Sequence, residues 1–324
     1  MTSRRRILVG LGLVALARSL ALNAQQAAKL PRIGFLGYGP ESGFTRHLAS
    51  MRRGLEQFGY VERKNLIIEY RFAEDDESIA RLAEELVRME PRVIVTSPTI
   101  TTLTAAKATR RIPIVQATGA NLVEIGLAAS YARPGRNVTG LSQRAEQGLV
   151  RKQVELVMAL VPRAARIGAM VSPSNVQRER FLSDARSAGS TLGVTVVPLL
   201  VATPAEVESL PWRKERCDAL AVLPDLFLYW FRRRLVELVG KVPAVYPYRE
   251  FVEDGGIASY GPDLLEHYSR VGSFVERLLK GAKPEELPIE LSSRFELVVN
   301  RKAANALGIA VPPPVLVRAD EVIE

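Results

Sequence analysis

The polar side chains of this sequence with chemical potential are hydroxyls, one acid and a set of tyrosines, a combination suited to holding a small molecule. Ser97-Pro98-Thr99 joins two hydroxyls to the expected start of a helix, where free backbone N–H groups and the helix dipole favour an anionic group such as a carboxylate. Asp225 supplies the complementary acid for an ammonium group. Tyr38, Tyr246, Tyr248 and Tyr260 are four of nine tyrosines, and they offer apolar faces with polar tips. Each residue also has a plainer use. Ser97 and Asp225 can cap the helices that follow them, and the tyrosines can pack at a hinge with their hydroxyls bonded.

The patterns that catalysis requires are missing. Gly37-Tyr38-Gly39 lies between an expected strand and helix, but the third glycine of a dinucleotide-binding turn would fall at Ser42. There is no phosphate-binding loop, no Gly-x-Ser-x-Gly elbow and no His-Glu-x-x-His pair. His47 and His267 are the only histidines and stand far apart, and the single cysteine, Cys217, excludes an internal disulfide and a cysteine-rich metal site. The sequence therefore predicts no catalytic residue, no metal and no cofactor.

Short β-branched runs alternate with amphipathic stretches from Pro31 onward, the pattern of parallel sheets with helices on both faces. The expected strands are Ile33–Gly37, Leu66–Tyr70, Val93–Thr96, Ile114–Ala117 and Val138–Leu141, with helices at Phe44–Phe58, Ser78–Met89, Thr99–Thr109 and Val123–Ala132. The pattern then restarts. Arg32-Ile33-Gly34 recurs as Arg166-Ile167-Gly168 and Phe58-Gly59 as Leu192-Gly193, both at an offset of 134. Val93-Ile94-Val95 recurs as Leu220-Ala221-Val222 at an offset of 127, and Ile112-Pro113-Ile114-Val115 as Val242-Pro243-Ala244-Val245 at 130. Four matches in one order indicate two similar lobes.

The second lobe is expected to hold strands at Ile167–Val171, Val194–Leu200, Leu220–Leu223 and Ala244–Tyr246. The expected fold is α/β, with two similar doubly wound parallel-sheet lobes joined by a hinge of several crossings. Residues 31–141 with part of 260–285 form the first lobe, and 142–258 with part of 286–324 the second. The tail, with a helix at Asp263–Leu279 and a strand at Phe295–Val299, belongs to neither repeat and is expected to cross back between lobes. In open α/β sheets a ligand sits beyond the carboxyl ends of the strands. That places Tyr38, Ser97, Thr99, Thr118, Thr139, Ser172, Asn175, Asp225, Tyr248 and Tyr260 in the candidate ligand site.

Residues 1–24 read as an export signal. Arg4, Arg5 and Arg6 precede an acid-free apolar run of 11 residues, Ile7–Ala17, shorter than the roughly 20 needed to span a bilayer. Ser3-Arg4-Arg5-Arg6-Ile7-Leu8 fits an ordinary secretory signal or a twin-arginine signal. Ser19-Leu20-Ala21 and Leu22-Asn23-Ala24 both offer a cleavage site, the second better spaced from the apolar run, and cleavage after Ala24 leaves Gln25 first. With no cysteine at the cleavage point for a lipid anchor, the mature chain is expected to be periplasmic and unanchored. The segment carries four of the 44 basic residues and none of the 35 acids, leaving 40 against 35, a net +5. The one basic cluster, Arg232-Arg233-Arg234, reads as a solvated helix face and not as a nucleic-acid site.

Four segments then carry a resemblance: Gly54-Leu55-Glu56-Gln57-Phe58-Gly59-Tyr60-Val61-Glu62, Ala132-Arg133-Pro134-Gly135-Arg136-Asn137-Val138-Thr139-Gly140, Tyr246-Pro247-Tyr248-Arg249-Glu250-Phe251 and Ser259-Tyr260-Gly261-Pro262. Over residues 31 to 324 the chain resembles the ABC transporter substrate-binding proteins that include receptors for tryptophan and phenylalanine uptake. The resemblance implies a type I periplasmic-binding fold, an aromatic amino acid as ligand, and delivery by a monomer to an ABC permease driven by a cytoplasmic ATPase. The alternatives are a sensor signalling to a membrane kinase and an exported α/β enzyme; a transcription regulator of this fold needs a DNA-binding module, and the expected export signal occupies its place.

Overall fold

In strand β1 (Arg32–Tyr38), Ile33 and Phe35 enter one apolar cluster and Leu36 another, the alternation a pleated strand imposes. In β6 (Arg166–Val171), Ile167, Ala169 and Val171 face one cluster and Met170 the other. Strands buried on both faces need helices on both sides, and four apolar clusters result, two for each of two sheets. The computed structural model describes residues 30–142, 148–209, 211–291 and 294–324; the expected export signal at 1–24 lies outside them.

The first half of the chain continues with α1 (Thr45–Glu56), β2 (Ile67–Ala73), α2 (Asp76–Arg88), β3 (Val93–Ser97), α3 (Thr99–Ala108), β4 (Ile114–Gln116) and β5 (Val138–Ser142). Helix α4 (Leu149–Leu160) then leads through β6 to α5 (Arg178–Leu192), β7 (Thr195–Leu200), α6 (Pro204–Glu208), α7 (Pro211–Lys214) and β8 (Ala219–Val222). After these come α8 (Leu226–Trp230), α9 (Arg232–Val239), β9 (Ala244–Tyr246), α10 (Arg249–Glu253), β10 (Ala258–Pro262) and α11 (Leu264–Leu279). The chain closes with β11 (Glu290–Leu291), β12 (Phe295–Asn300), α12 (Arg301–Ala306), α13 (Pro313–Arg318) and β13 (Glu321–Ile323).

The sheets run β11-β5-β4-β3-β1-β2 and β13-β12-β10-β9-β8-β6-β7. Their common part has one topology: β5-β4-β3-β1-β2 in the first corresponds to β10-β9-β8-β6-β7 in the second. The repeated Arg-Ile-Gly opens β1 and β6, each lying between the next two strands of its own half. Among the described strands, all pairs are parallel except β10 with β12. Gly59 and Gly193, which the repeat placed alike, both take positive φ, at 81° and 71°.

The tail weaves between the halves. Asp263 caps α11 by accepting from Glu266 N at 3.0 Å, and α11 then packs on α1 of the first half. That contact is close. A Cβ built on Gly54 would lie 1.9 Å from the carbonyl oxygen of Ser269, and Ser50 Oγ donates to the Leu265 carbonyl at 2.7 Å. Strand β11 joins β5, after which β12 and β13 return to the second sheet. The described elements thus pass from one sheet to the other three times.

One expected helix is absent. Residues 123–132 form a turn because Asn121 Oδ1 accepts from Val123 N and Glu124 N, and Gly126 takes a φ of 74°, which stops helical propagation. The basic run is held by acids: Arg232 and Arg233 face Asp254, and Arg234 faces Glu208 and Glu237.

His267, on the buried face of α11, sets a pH dependence. Burial pushes its imidazole down to about 4; Asp263 opposes the shift and Arg270 adds to it. The folded protein therefore resists a proton that the unfolded chain takes up at about 6.5. Its contribution is complete above pH 6.5 and is lost as pH falls toward 4, by roughly 3 kcal/mol over the window. Glu296 runs the other way: burial lifts its carboxyl to about 7 against the pull of Arg249. The informative quantity is thus the difference between wild type and His267→Gln in urea unfolding. The wild type should lead at pH 7 and lose that lead by pH 4.5; a constant difference would contradict the assignment.

Candidate functional site

A cavity of about 730 Å³ opens between the two sheets at the carboxyl ends of their strands. Ser97 ends β3, and its Oγ accepts from Tyr268 OH at 2.6 Å, so a side chain of α11 fixes the hydroxyl. Thr99, the first residue of α3, accepts from Ala120 N through Oγ1 at 2.7 Å and ties the loop after β4 to the helix start. The residue before α3 is Pro98, which supplies no side-chain cap. Thr99 and Ile100, the first two residues of this ten-residue helix, line the cavity, while the Thr101 and Thr102 amides donate to the Pro98 carbonyl.

Across the cavity, Asp225 follows β8 and is 5% exposed. Its Oδ1 accepts from Leu228 N at 3.1 Å, capping α8, and its Oδ2 accepts from Ser172 N at 3.1 Å and Asn175 Nδ2 at 2.9 Å. A carboxylate has about four acceptor positions, and three are used. Asn175 spans the same loops by donating to the Pro224 carbonyl at 2.8 Å and accepting from Gln177 N at 2.9 Å. Ser172 and Ser174 share a hydroxyl contact at 2.8 Å.

Eight of the ten residues expected at the site line this cavity: Tyr38, Ser97, Thr99, Thr118, Ser172, Asn175, Asp225 and Tyr248. Thr139 and Tyr260 do not. Strand β5 continues to Ser142, so Thr139 lies inside it, fully buried, with Oγ1 donating to the Leu287 carbonyl at 2.7 Å. Tyr260 is central in β10; its ring stacks on Phe295 at 6.1 Å and its hydroxyl accepts from Lys152 Nζ at 2.8 Å. Tyr246 stacks on Phe251 at 5.0 Å and is also outside.

The cavity draws on residues the strand-end rule did not reach. Phe44, His47, Phe227, Tyr229, Trp230 and Tyr268 give it an aromatic wall, with Glu74 at another edge. Tyr229 meets Tyr248 edge to face at 5.7 Å, and burial drives its hydroxyl pKa well above the ordinary phenol value. The signal was present in Leu226-Phe227-Leu228-Tyr229-Trp230-Phe231, an aromatic-rich run directly after a strand end.

The halves touch on more than one side of the cavity. His47 of α1 reaches Glu250 of α10 with Nε2 at 3.5 Å from Oε1, and Tyr229 OH stands 3.4 Å from the same nitrogen. Burial pushes the Glu250 carboxyl up, but the hydrogen bond and charge of His47 outweigh it and hold the carboxyl below its ordinary range. Arg46 pairs with Glu253 beside them, and Arg180 pairs with Glu124 at 3.0 Å. These contacts join the two halves across the cavity. Among the described residues no group of three or more His, Cys, Asp or Glu is arranged to hold a metal, and no helix is long and apolar enough to cross a membrane.

The comparisons with known proteins agree with this architecture. A tyrosine-binding protein of Clostridioides difficile is 25% identical over 261 residues, 79% of this chain and 75% of its own. The crystal structure of an ABC domain in complex with L-Trp from Streptococcus pneumoniae superposes with a TM-score of 0.83 at 28% identity, covering 90% of this chain and 99% of that one. A conserved domain protein from Vibrio cholerae reaches the same TM-score at 26% identity, covering 91% and 100%. The fold is that of the type I periplasmic binding proteins. The family model described as ABC transporter substrate binding protein matches residues 42–323, and the chain belongs to that family.

Proposed function

We propose that this protein is the extracytoplasmic receptor of an ABC importer and that it captures an aromatic amino acid between its lobes. The observation that carries the reading is the cavity between the halves, with an aromatic wall, a partly committed carboxylate at Asp225 and the uncapped start of α3. Its size lies within the roughly 300–1,000 Å³ usual for small-molecule sites. The ligand's amino group takes the remaining acceptor position of Asp225. Its carboxylate is held by the Thr99 and Ile100 amides at the start of α3 with the Ser97 and Thr99 hydroxyls, and its ring lies against Tyr248, Phe44 and Trp230. The relatives support the ligand class, one described as tyrosine-binding and one holding L-Trp.

Closure follows from contacts that exist only when the lobes meet, so ligand bridging them shifts the population toward the closed form. A permease reads that form, and its ATPase drives import. Residues 1–24 serve export, and the receptor works as a monomer. The two lobes, 31–141 and 142–258, carry their shares of the weaving tail as they move.

A thermal-shift screen of amino acids, sugars, nucleosides and small carboxylates tests the ligand class, because a ligand bound only by the folded state raises the melting temperature. L-Tyrosine, L-tryptophan or L-phenylalanine should raise it. Tyramine, which lacks the carboxylate, and 3-(4-hydroxyphenyl)propanoate, which lacks the amine, should raise it far less than L-tyrosine. A response confined to sugars or nucleosides would overturn the reading.

A further inference from the structure

The indole of Trp230, at the end of α8 on the second lobe, lies on residues of the first. Its ring sits 4.9 Å from that of Phe44, and a Cβ built on Gly39 would fall 2.3 Å from its Cε2. On Gly43 the same construction falls 2.2 Å from Cζ3. The two glycines thus form a notch that the indole fills.

They differ in why they must be glycine. Gly39 has a φ of 117°, a conformation L side chains rarely adopt, so its own backbone explains it. Gly43 lies in the short 3-10 turn Glu41–Phe44 and is not among the positive-φ residues. Its backbone accepts alanine, and the atoms a methyl group would meet first belong to Trp230 on the other lobe. A glycine required only by a partner across the cleft is required only when the cleft is shut.

We infer that Trp230 is a positioning residue that couples ligand capture to closure, its indole seating on Gly39 and Gly43 as the lobes meet. The same side chain lines the cavity, so the wall that contacts ligand is complete only when the indole is seated. Seating then contributes to affinity, and any group that fills the notch opposes closure. This inference rests on the two-lobe capture proposed above, but not on the identity of the ligand.

The test is a double-mutant cycle of Gly43→Ala and Trp230→Leu, read without ligand. All four proteins carry Arg46→Cys and Glu253→Cys, which replace the ion pair that faces across the lobes, together with Cys217→Ser. The rate at which a short bismaleimide bridges the two cysteines reports the closed population. With Trp230 present, Gly43→Ala should slow bridging about tenfold, within the coupling measured for residues in contact. In the Trp230→Leu background it should have no effect, because the shorter side chain leaves room for the added methyl group. Equal slowing in both backgrounds, or none in either, overturns the inference. Circular dichroism and melting temperature establish that each variant folds. Titration of the same four proteins with L-tyrosine, L-tryptophan and L-phenylalanine is a separate readout: failure of the parent to bind any of the three, with the bridging cycle intact, rejects the ligand class and leaves the clasp standing.

Discussion

Replacing Asp225 with alanine is expected to weaken L-tyrosine binding about 100-fold, because a charge-assisted hydrogen bond to the ligand's ammonium is lost. It should also lower folding stability by about 2–4 kcal/mol, through loss of the α8 cap and the stranding of Ser172 N–H and the Asn175 amide. The two effects are separable by ligand chemistry. Wild type should discriminate strongly between L-tyrosine and its analogue without the amine, while Asp225→Ala should bind both with similar weakness. If the variant keeps the wild-type discrimination, Asp225 organises the loops and another group holds the amine.

His47→Ala is expected to weaken binding by a comparable factor for a different reason. Glu250 is 5% exposed and faces His47 from the other half of the chain. Removing one partner of a buried pair typically costs about 3–5 kcal/mol, here incurred only on closure because opening the cleft hydrates the carboxylate. The dissociation constant should therefore rise about 100-fold or more, while the melting temperature of the ligand-free protein changes little. An equal loss of ligand-free stability would place the pair within the resting fold and remove its role in closure.

The sequence disclosed the sheets more fully than the site, for physical reasons. Repeated Arg-Ile-Gly opens a strand in each half, and the paired glycines, Gly59 and Gly193, end the helix that follows it, so both stand out as a readable pattern. Val123–Ala132 misled because its apolar spacing suits a helix, yet Gly126 and the Asn121 side chain close a turn first. Thr139 and Tyr260 fall outside the cavity because their strands run past them, to Ser142 and Pro262. The strand-end rule found the polar rim, including Ser97 and Asp225. It missed His47, Tyr268 and Trp230, which arrive from helices whose placement is set by tertiary packing. Tyr268 reaches Ser97 only because α11 crosses back onto α1 at Gly54 and Gly272.

Isothermal titration calorimetry of the purified chain with L-tyrosine, L-tryptophan and L-phenylalanine at several temperatures tests the capture of an aromatic amino acid. One site per chain is expected for at least one of them, with a negative heat-capacity change from apolar surface buried as the ring enters the cavity. Absence of binding by all three would contradict it, as would binding that survives both Asp225→Ala and His47→Ala unchanged.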